Sequence, residues 1–153
     1  VKTGKSIKYV RFVYKLKQIE FDLGSNRFFL LHDEYKPNTP SHIKVYDFKT
    51  LFKFDVEKDD EKIADKIPKL ADFAIVLDGE KPNKIANRAL WYVDNESFFV
   101  STNDGWVIHY DMKGNIIKKA LVHEATKINS IAFSKNFAVL ATAADNGSKI
   151  LDP

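Results

Sequence analysis

One pattern occurs twice between Asn87 and Asp152, and it constrains the fold more than any other feature of the chain. The first copy reads ANRALWYV-DNESFFVSTND-GWVIHYD and the second KINSIAFS-KNFAVLATAAD-NGSKILD. Asp104 and Asp145 stand 41 residues apart, as do Asp111 and Asp152, and in each copy the two aspartates are separated by 7. Within the copies, FFVST and FAVLATA are short apolar runs rich in β-branched and aromatic residues, the composition of buried strands. Asp104-Gly105 and Asn146-Gly147 carry the chemistry of two-residue hairpin turns, in which glycine supplies a left-handed backbone. The aspartate at each turn can accept backbone N–H groups from it. WVIHYD and SKILD then read as third strands, each closing on an aspartate.

A repeat of about 40–45 residues carrying several short strands is the signature of a WD-type β-propeller blade. The expected fold class is therefore all-β, a partial propeller of about three blades out of roughly seven. The first blade spans residues 13–77 with an insertion at 57–71, the second spans 87–123, and an incomplete third spans 128–153. Two clear copies and one degenerate copy cannot close a ring, so the chain reads as a segment of a larger propeller.

The earlier copy is looser. QIEFDL, RFFLLHD and HIKVYDF are its strands, with a turn at Gly24-Ser25-Asn26 and an exposed Pro-rich loop, EYKPNTPS. Its outer strand is either LFKFDVE or DFAIVL, and the charged stretch between them reads as a surface insertion interrupted by Pro68. IIKKALVH is the outer strand of the second blade, with Lys118 and Lys119 facing solvent.

The chemistry of a catalytic or metal site is not indicated. There is no cysteine, so neither a disulfide framework nor a thiolate site can form. His32, His42, His109 and His123 lack metal-ligand spacing, and no phosphate-cradling glycine motif occurs. No cofactor is expected. His123 precedes the inner strand of the last blade, and a structural pairing with Asp145 is expected. Asp104, Asp145 and His123 are thus structural turn residues. No apolar run approaches transmembrane length and no signal-peptide pattern opens the chain.

A second surface has a different character. Lys2, Lys5, Lys8 and Arg11 lie among aromatics at the start of the chain, and Lys81, Lys84 and Arg88 form another basic run. Cations interleaved with aromatics suit phosphate neutralisation and base stacking, so these are candidate RNA-binding residues. Lysines on solvent faces of strands account for the same pattern.

Beyond the repeat, LVHEATKINSIAFSKNFAVLATAADNGSKILD resembles the fifth-blade region of the WD-repeat subunit i family of eukaryotic translation initiation factor 3. STNDGWVIHYDMKGNI resembles the end of that family's fourth blade, and TGKSIKYVRFVYKLKQIEFDLGSNRFFLL is similar to the start of its third. The ordered His-Glu, Ile-Asn, Phe-Ser and closing Asp carry most of the likeness. Leu151, Ala143 and residues 57–71 depart from the family pattern. A kinase-receptor-associated WD scaffold shares the same features. The resemblance implies a non-catalytic, cytoplasmic scaffold of translation initiation. Its implied partners are the C-terminal helix of subunit b and the N-terminal part of subunit g. Contacts to that helix fall by resemblance on Asn136 and Asp152, of which only the second carries the family's charge.

Overall fold

The computed structural model describes residues 12, 14–33, 39–53, 66–77 and 85–153. Three antiparallel sheets succeed one another along the chain, each a meander in which sequential strands are neighbours. The first contains β1 (Lys15–Phe21), β2 (Arg27–Asp33), β3 (Ser41–Asp47) and β4 (Ala71–Ala74), with a short helix, α1 (Phe48–Lys53), before β4. The second contains β5 (Ala86–Trp91), β6 (Ser97–Thr102), β7 (Trp106–Asp111) and β8 (Ile116–Leu121). The third contains β9 (Ile128–Ser134), β10 (Val139–Ala144) and β11 (Gly147–Leu151), in the order β11-β10-β9.

The second strand of each meander is the most apolar because it lies between neighbours and, in the first two sheets, is covered on both faces. In β2, Phe29 and Leu31 point toward the second sheet, while Phe28 and Leu30 join Tyr46 and Ile67 on the opposite side. In β6, Phe98 and Val100 meet the first sheet and Phe99 meets the third. Side chains two residues apart share a face, so a continuous apolar run fills two cores at once. β10 does this on one face only. Leu140 is buried against the second sheet, whereas Ala141 is exposed.

First strands also join the sheets to one another. The Gln18 side chain of β1 behaves as an extra backbone amide toward β5: its Nε2 donates to Ala89 O at 2.8 Å and its Oε1 accepts Ala89 N at 3.0 Å. Lys17 Nζ donates to Ala86 O at 2.7 Å and pairs with Asp33 at 2.7 Å. From β5, Asn87 Nδ2 reaches Ile128 O of β9 at 3.1 Å. Arg27 closes the other end of this seam. Its guanidinium bonds Asp22 at 3.0 Å and Asn95 O at 2.6 Å, and it lies 5.3 Å from the Trp91 ring centroid.

One of the two outer-strand alternatives holds, and other expectations need correction. DFAIVL, not LFKFDVE, supplies the fourth strand: residues 71–74 pair with β3, and residues 48–53 are helical. The helix starts where HIKVYDF was expected to remain extended, because Asp47 Oδ1 accepts both Thr50 N (2.7 Å) and Thr50 Oγ1 (2.8 Å) as an N-cap. Nor is the end of the 57–71 insertion a surface loop. Ile67 is fully buried beside Tyr46, and Leu70 N donates to Val45 O at 2.8 Å. Residues 3–5, the first part of the Pro-rich loop and residues 57–65 lie outside the described residues. No described helix is long and apolar enough to cross a membrane.

Candidate functional site

Register divides the expected site residues between the two ends of the third sheet. At one end Ser134 pairs with Val139 and Leu140 with Leu151, so the turn holding Asn136 and the segment holding Asp152 lie together. Both residues are exposed. At the opposite end, Ala144 pairs with Gly147 and Ile128, which gathers Asp145, Asn146, Asn129 and His123. Asn136 and Asp152, the residues expected to bind a partner, therefore lie at the end of the third sheet opposite to Asp145 and His123.

Asp152 borders a groove of about 120 Å³ between the second and third sheets. Phe99, Val107, Leu140 and Leu151 give it an apolar lining, and Lys118 and Lys119 of β8 stand on its second-sheet side. Both lysines are exposed, as the sequence suggested. Asp152 makes no hydrogen bond or ion pair among the described residues. Its counterparts at the ends of β3 and β7 are engaged locally. Asp47 caps α1, and Asp111 accepts Lys113 N, Asn115 N and Asn115 Nδ2, each at 2.8 Å. At Asp111 burial is the largest single influence and opposes ionisation, but those hydrogen bonds together with the charge of Lys113 outweigh it, so its carboxyl stays below the ordinary range. The groove thus presents apolar surface flanked by charge of both signs, an arrangement suited to an amphipathic segment.

The turn residues are arranged differently from the expectation. His123 does not pair with Asp145. Its Nδ1 faces Asn146 Oδ1 at 2.7 Å and its Nε2 faces the Thr142 hydroxyl at 2.9 Å. Asp145 instead accepts Asn129 Nδ2 at 2.7 Å. The reason is loop length. β10 and β11 are joined by two residues, Asp145-Asn146, so the second of them meets the histidine. Gly147 lies in the strand at φ +124°, not in the turn. The hydrogen-bond network assigns the imidazole proton. Thr126 Oγ1 donates to Glu124 O at 3.0 Å and so accepts Asn146 Nδ2 at 3.1 Å, which turns Asn146 Oδ1 toward the histidine. Asn146 Oδ1 can only accept, so His123 carries its proton on Nδ1 and presents Nε2 to the Thr142 hydroxyl, which also lies 3.3 Å from Lys149 O as a second acceptor.

One repeat earlier the connection is longer. β6 and β7 are joined by three residues, 103–105, and the left-handed position is Gly105 at φ +91°. Asp104 accepts the Thr102 hydroxyl at 2.6 Å, while Thr102 Oγ1 accepts Trp106 N at 3.0 Å. The two-residue turn expected at Asp104-Gly105 is thus replaced by one with Asp104 at its centre.

Two histidine arrangements, one half-buried and one fully buried, were not foreseen. His109 Nε2 lies 2.8 Å from Ser97 Oγ, which donates to Asp94 Oδ2 at 2.8 Å. These residue types match a nucleophilic triad, but their order does not. The serine proton is committed to the carboxylate, so His109 must donate to the serine and cannot act as its base. Burial, the largest influence, holds His109 below its usual pKa, with Asp94 opposing and Lys118 assisting. The second arrangement is in the first sheet. His32 is fully buried, stacked 4.3 Å from Tyr14 and 5.4 Å from His42, and neither ring nitrogen has a hydrogen-bond partner among the described residues. Burial, then the charges of Lys44 and His42, push its pKa down to about 4. Period-two alternation alone could have placed both histidines beside their aromatic neighbours, but not their proton partners.

Of the candidate RNA-binding residues, Arg88 is exposed on β5 and donates to Asn87 O at 3.2 Å. Lys2, Lys5, Lys8, Arg11, Lys81 and Lys84 lie outside the described residues. Among the described residues, no group of three or more His, Asp or Glu side chains could hold a metal ion. No protein-family model matches the chain, and no curated protein matches it.

Proposed function

We propose that the three sheets are consecutive blades of a WD-type β-propeller and that the chain is a non-catalytic scaffold for protein partners. The observation that carries this reading is the recurrence of one meander three times, with adjoining first strands and an aspartate at or just after the end of each third strand. A propeller blade needs such a unit because one twisted sheet cannot bury both its faces alone. The resemblance described above makes translation initiation the process and the cytoplasm the location. The C-terminal helix of subunit b is then the expected occupant of the end marked by Asp152 and Asn136, and the N-terminal part of subunit g is a further expected partner. The apolar groove beside Asp152 supports helix docking, since an amphipathic helix needs an apolar seat with charge at its margin.

Affinity purification from cells under native conditions tests the proposal. Co-purification of initiation-factor-3 subunits in stoichiometric amounts is expected, and their absence alongside a different stable complex rejects the assignment. A complex lost steeply as salt rises would favour phosphate contacts, and hence RNA, over an apolar seat.

A further inference from the structure

We propose that Asn146-Gly147 is a self-modification site, at which asparagine converts through a succinimide to aspartate and isoaspartate. Three observations converge on it. Asn146 and Gly147 are both exposed, in the two-residue loop and at the first position of β11. The space where a Cβ would stand on Gly147 is empty to 4 Å, so no neighbouring atom crowds the glycine on which the ring must close. His123 donates its Nδ1 proton to Asn146 Oδ1 at 2.7 Å, on the carbonyl that must accept the nucleophile.

In the reaction, Gly147 N attacks Asn146 Cγ and the new C–N bond closes a five-membered ring. The Cγ–Nδ2 bond breaks, and ammonia leaves with the proton given up by Gly147 N. Water then opens the ring at either carbonyl, giving aspartate or isoaspartate. No oxidant or reductant is involved. The His123 N–H lies where negative charge develops on Oδ1, so it stabilises the tetrahedral intermediate as an oxyanion donor does.

Asp104-Gly105, one repeat earlier, is another dipeptide prone to this chemistry, and the fold closes it. Gly105 is buried, and its carbonyl accepts Val122 N at 2.9 Å and His123 N at 3.1 Å. The position a Cβ would take lies 1.6 Å from His123 O, so the backbone there has no room to move. The fold therefore protects one repeat and leaves the other open. Conversion has a local consequence. Isoaspartate adds a backbone methylene to a two-residue loop and so disturbs the Ala144–Gly147 pairing. Aspartate places a second carboxylate beside Asp145 and gives His123 a charged acceptor.

The test is incubation of the folded protein at mildly alkaline pH, followed by peptide mapping with mass spectrometry and isoaspartyl-methyltransferase labelling. Asn146 should convert ahead of Asn95 and Asn129, giving both products, while Asp104 stays unisomerised. Gly147→Ser should slow conversion several-fold, and His123→Gln should slow it while the circular dichroism spectrum is retained. If His123→Gln unfolds, the Gly147→Ser result decides alone. Conversion of Asn146 no faster than of Asn129, or indifference to Gly147→Ser, overturns the proposal. Isomerisation of Asp104 at the pace of Asn146 would likewise overturn it.

Discussion

The hairpins β6–β7 and β10–β11 have their aspartates 41 residues apart, yet they solve the turn differently. In the first, three residues reverse the chain and a buried glycine holds the following link through its carbonyl. In the second, two residues suffice, the glycine is exposed, and the side chain of Asn146 carries the contact to His123. One extra loop residue moves every later residue to the opposite sheet face unless the register compensates. Equal spacing in sequence therefore does not imply equal position in the turn. It teaches that backbone packing fixes the second sheet's turn, whereas side-chain hydrogen bonds fix the third's.

The largest effect expected from that contrast is at the glycines. Gly105→Ala forces a methyl onto the His123 carbonyl at an unfavourable φ and should cost at least about 3 kcal/mol, or prevent folding. Gly147→Ala meets open space, so it should carry only the backbone strain of a side chain at φ +124°, about 1–3 kcal/mol and less than Gly105→Ala. Urea melts of the two variants measure the difference, and equal losses would break the comparison.

Those melts are best made above the titration of His32. Its folded pKa of about 4 lies below the ordinary histidine value of roughly 6.5. Between these values the unfolded chain binds more protons, so stability rises with pH there. The neutral imidazole's contribution is complete above the unfolded pKa. It falls away as pH drops through that window, by roughly 2–4 kcal/mol in all. His32→Phe should flatten that part of a stability–pH curve measured by denaturant titration.

His123 sharpens the comparison at intermediate size. His123→Ala leaves Thr142 and Asn146 without their partner and should cost roughly 1–3 kcal/mol. Smallest are the aspartates. Asp104→Ala strips a half-buried acceptor from Thr102 and should cost about 1 kcal/mol, whereas Asp145→Ala at its exposed position should stay within about 0.5. Thermal melts that rank Asp145 above Asp104 would contradict the assigned environments.

How much of this was legible in the sequence follows from which interactions are local. The apolar runs of β2 and β6 were readable because strands covered on both faces leave short continuous apolar stretches, and RFFLLHD and WVIHYD coincide with strands. The helix at residues 48–53 was not read, since its cap depends on Asp47, which also reads as a strand's closing residue. Asp145 was taken as the partner of His123 because WD-type blades often pack a histidine placed before the inner strand against the turn aspartate. The register placed Asn146 there instead, and register across a short turn is set by one residue of loop length. Arg27 and Gln18, which tie the first two sheets together, lie on surfaces that local sequence cannot match to their partners. Asn136 and Asp152 were named by resemblance, and their shared end of the sheet is a property of the β9–β10–β11 register.

The scaffold reading rests most directly on what the end bearing Asp152 binds. Calorimetric titration of the subunit-b C-terminal helix into wild-type protein and Asp152→Asn, with thermal melts alongside, is the decisive measurement. The account predicts saturable binding by wild type and a loss of roughly 1–4 kcal/mol in Asp152→Asn, at an unchanged melting temperature. Equal affinities with a lowered melting temperature would make Asp152 structural, and no binding by either protein would contradict the scaffold assignment itself.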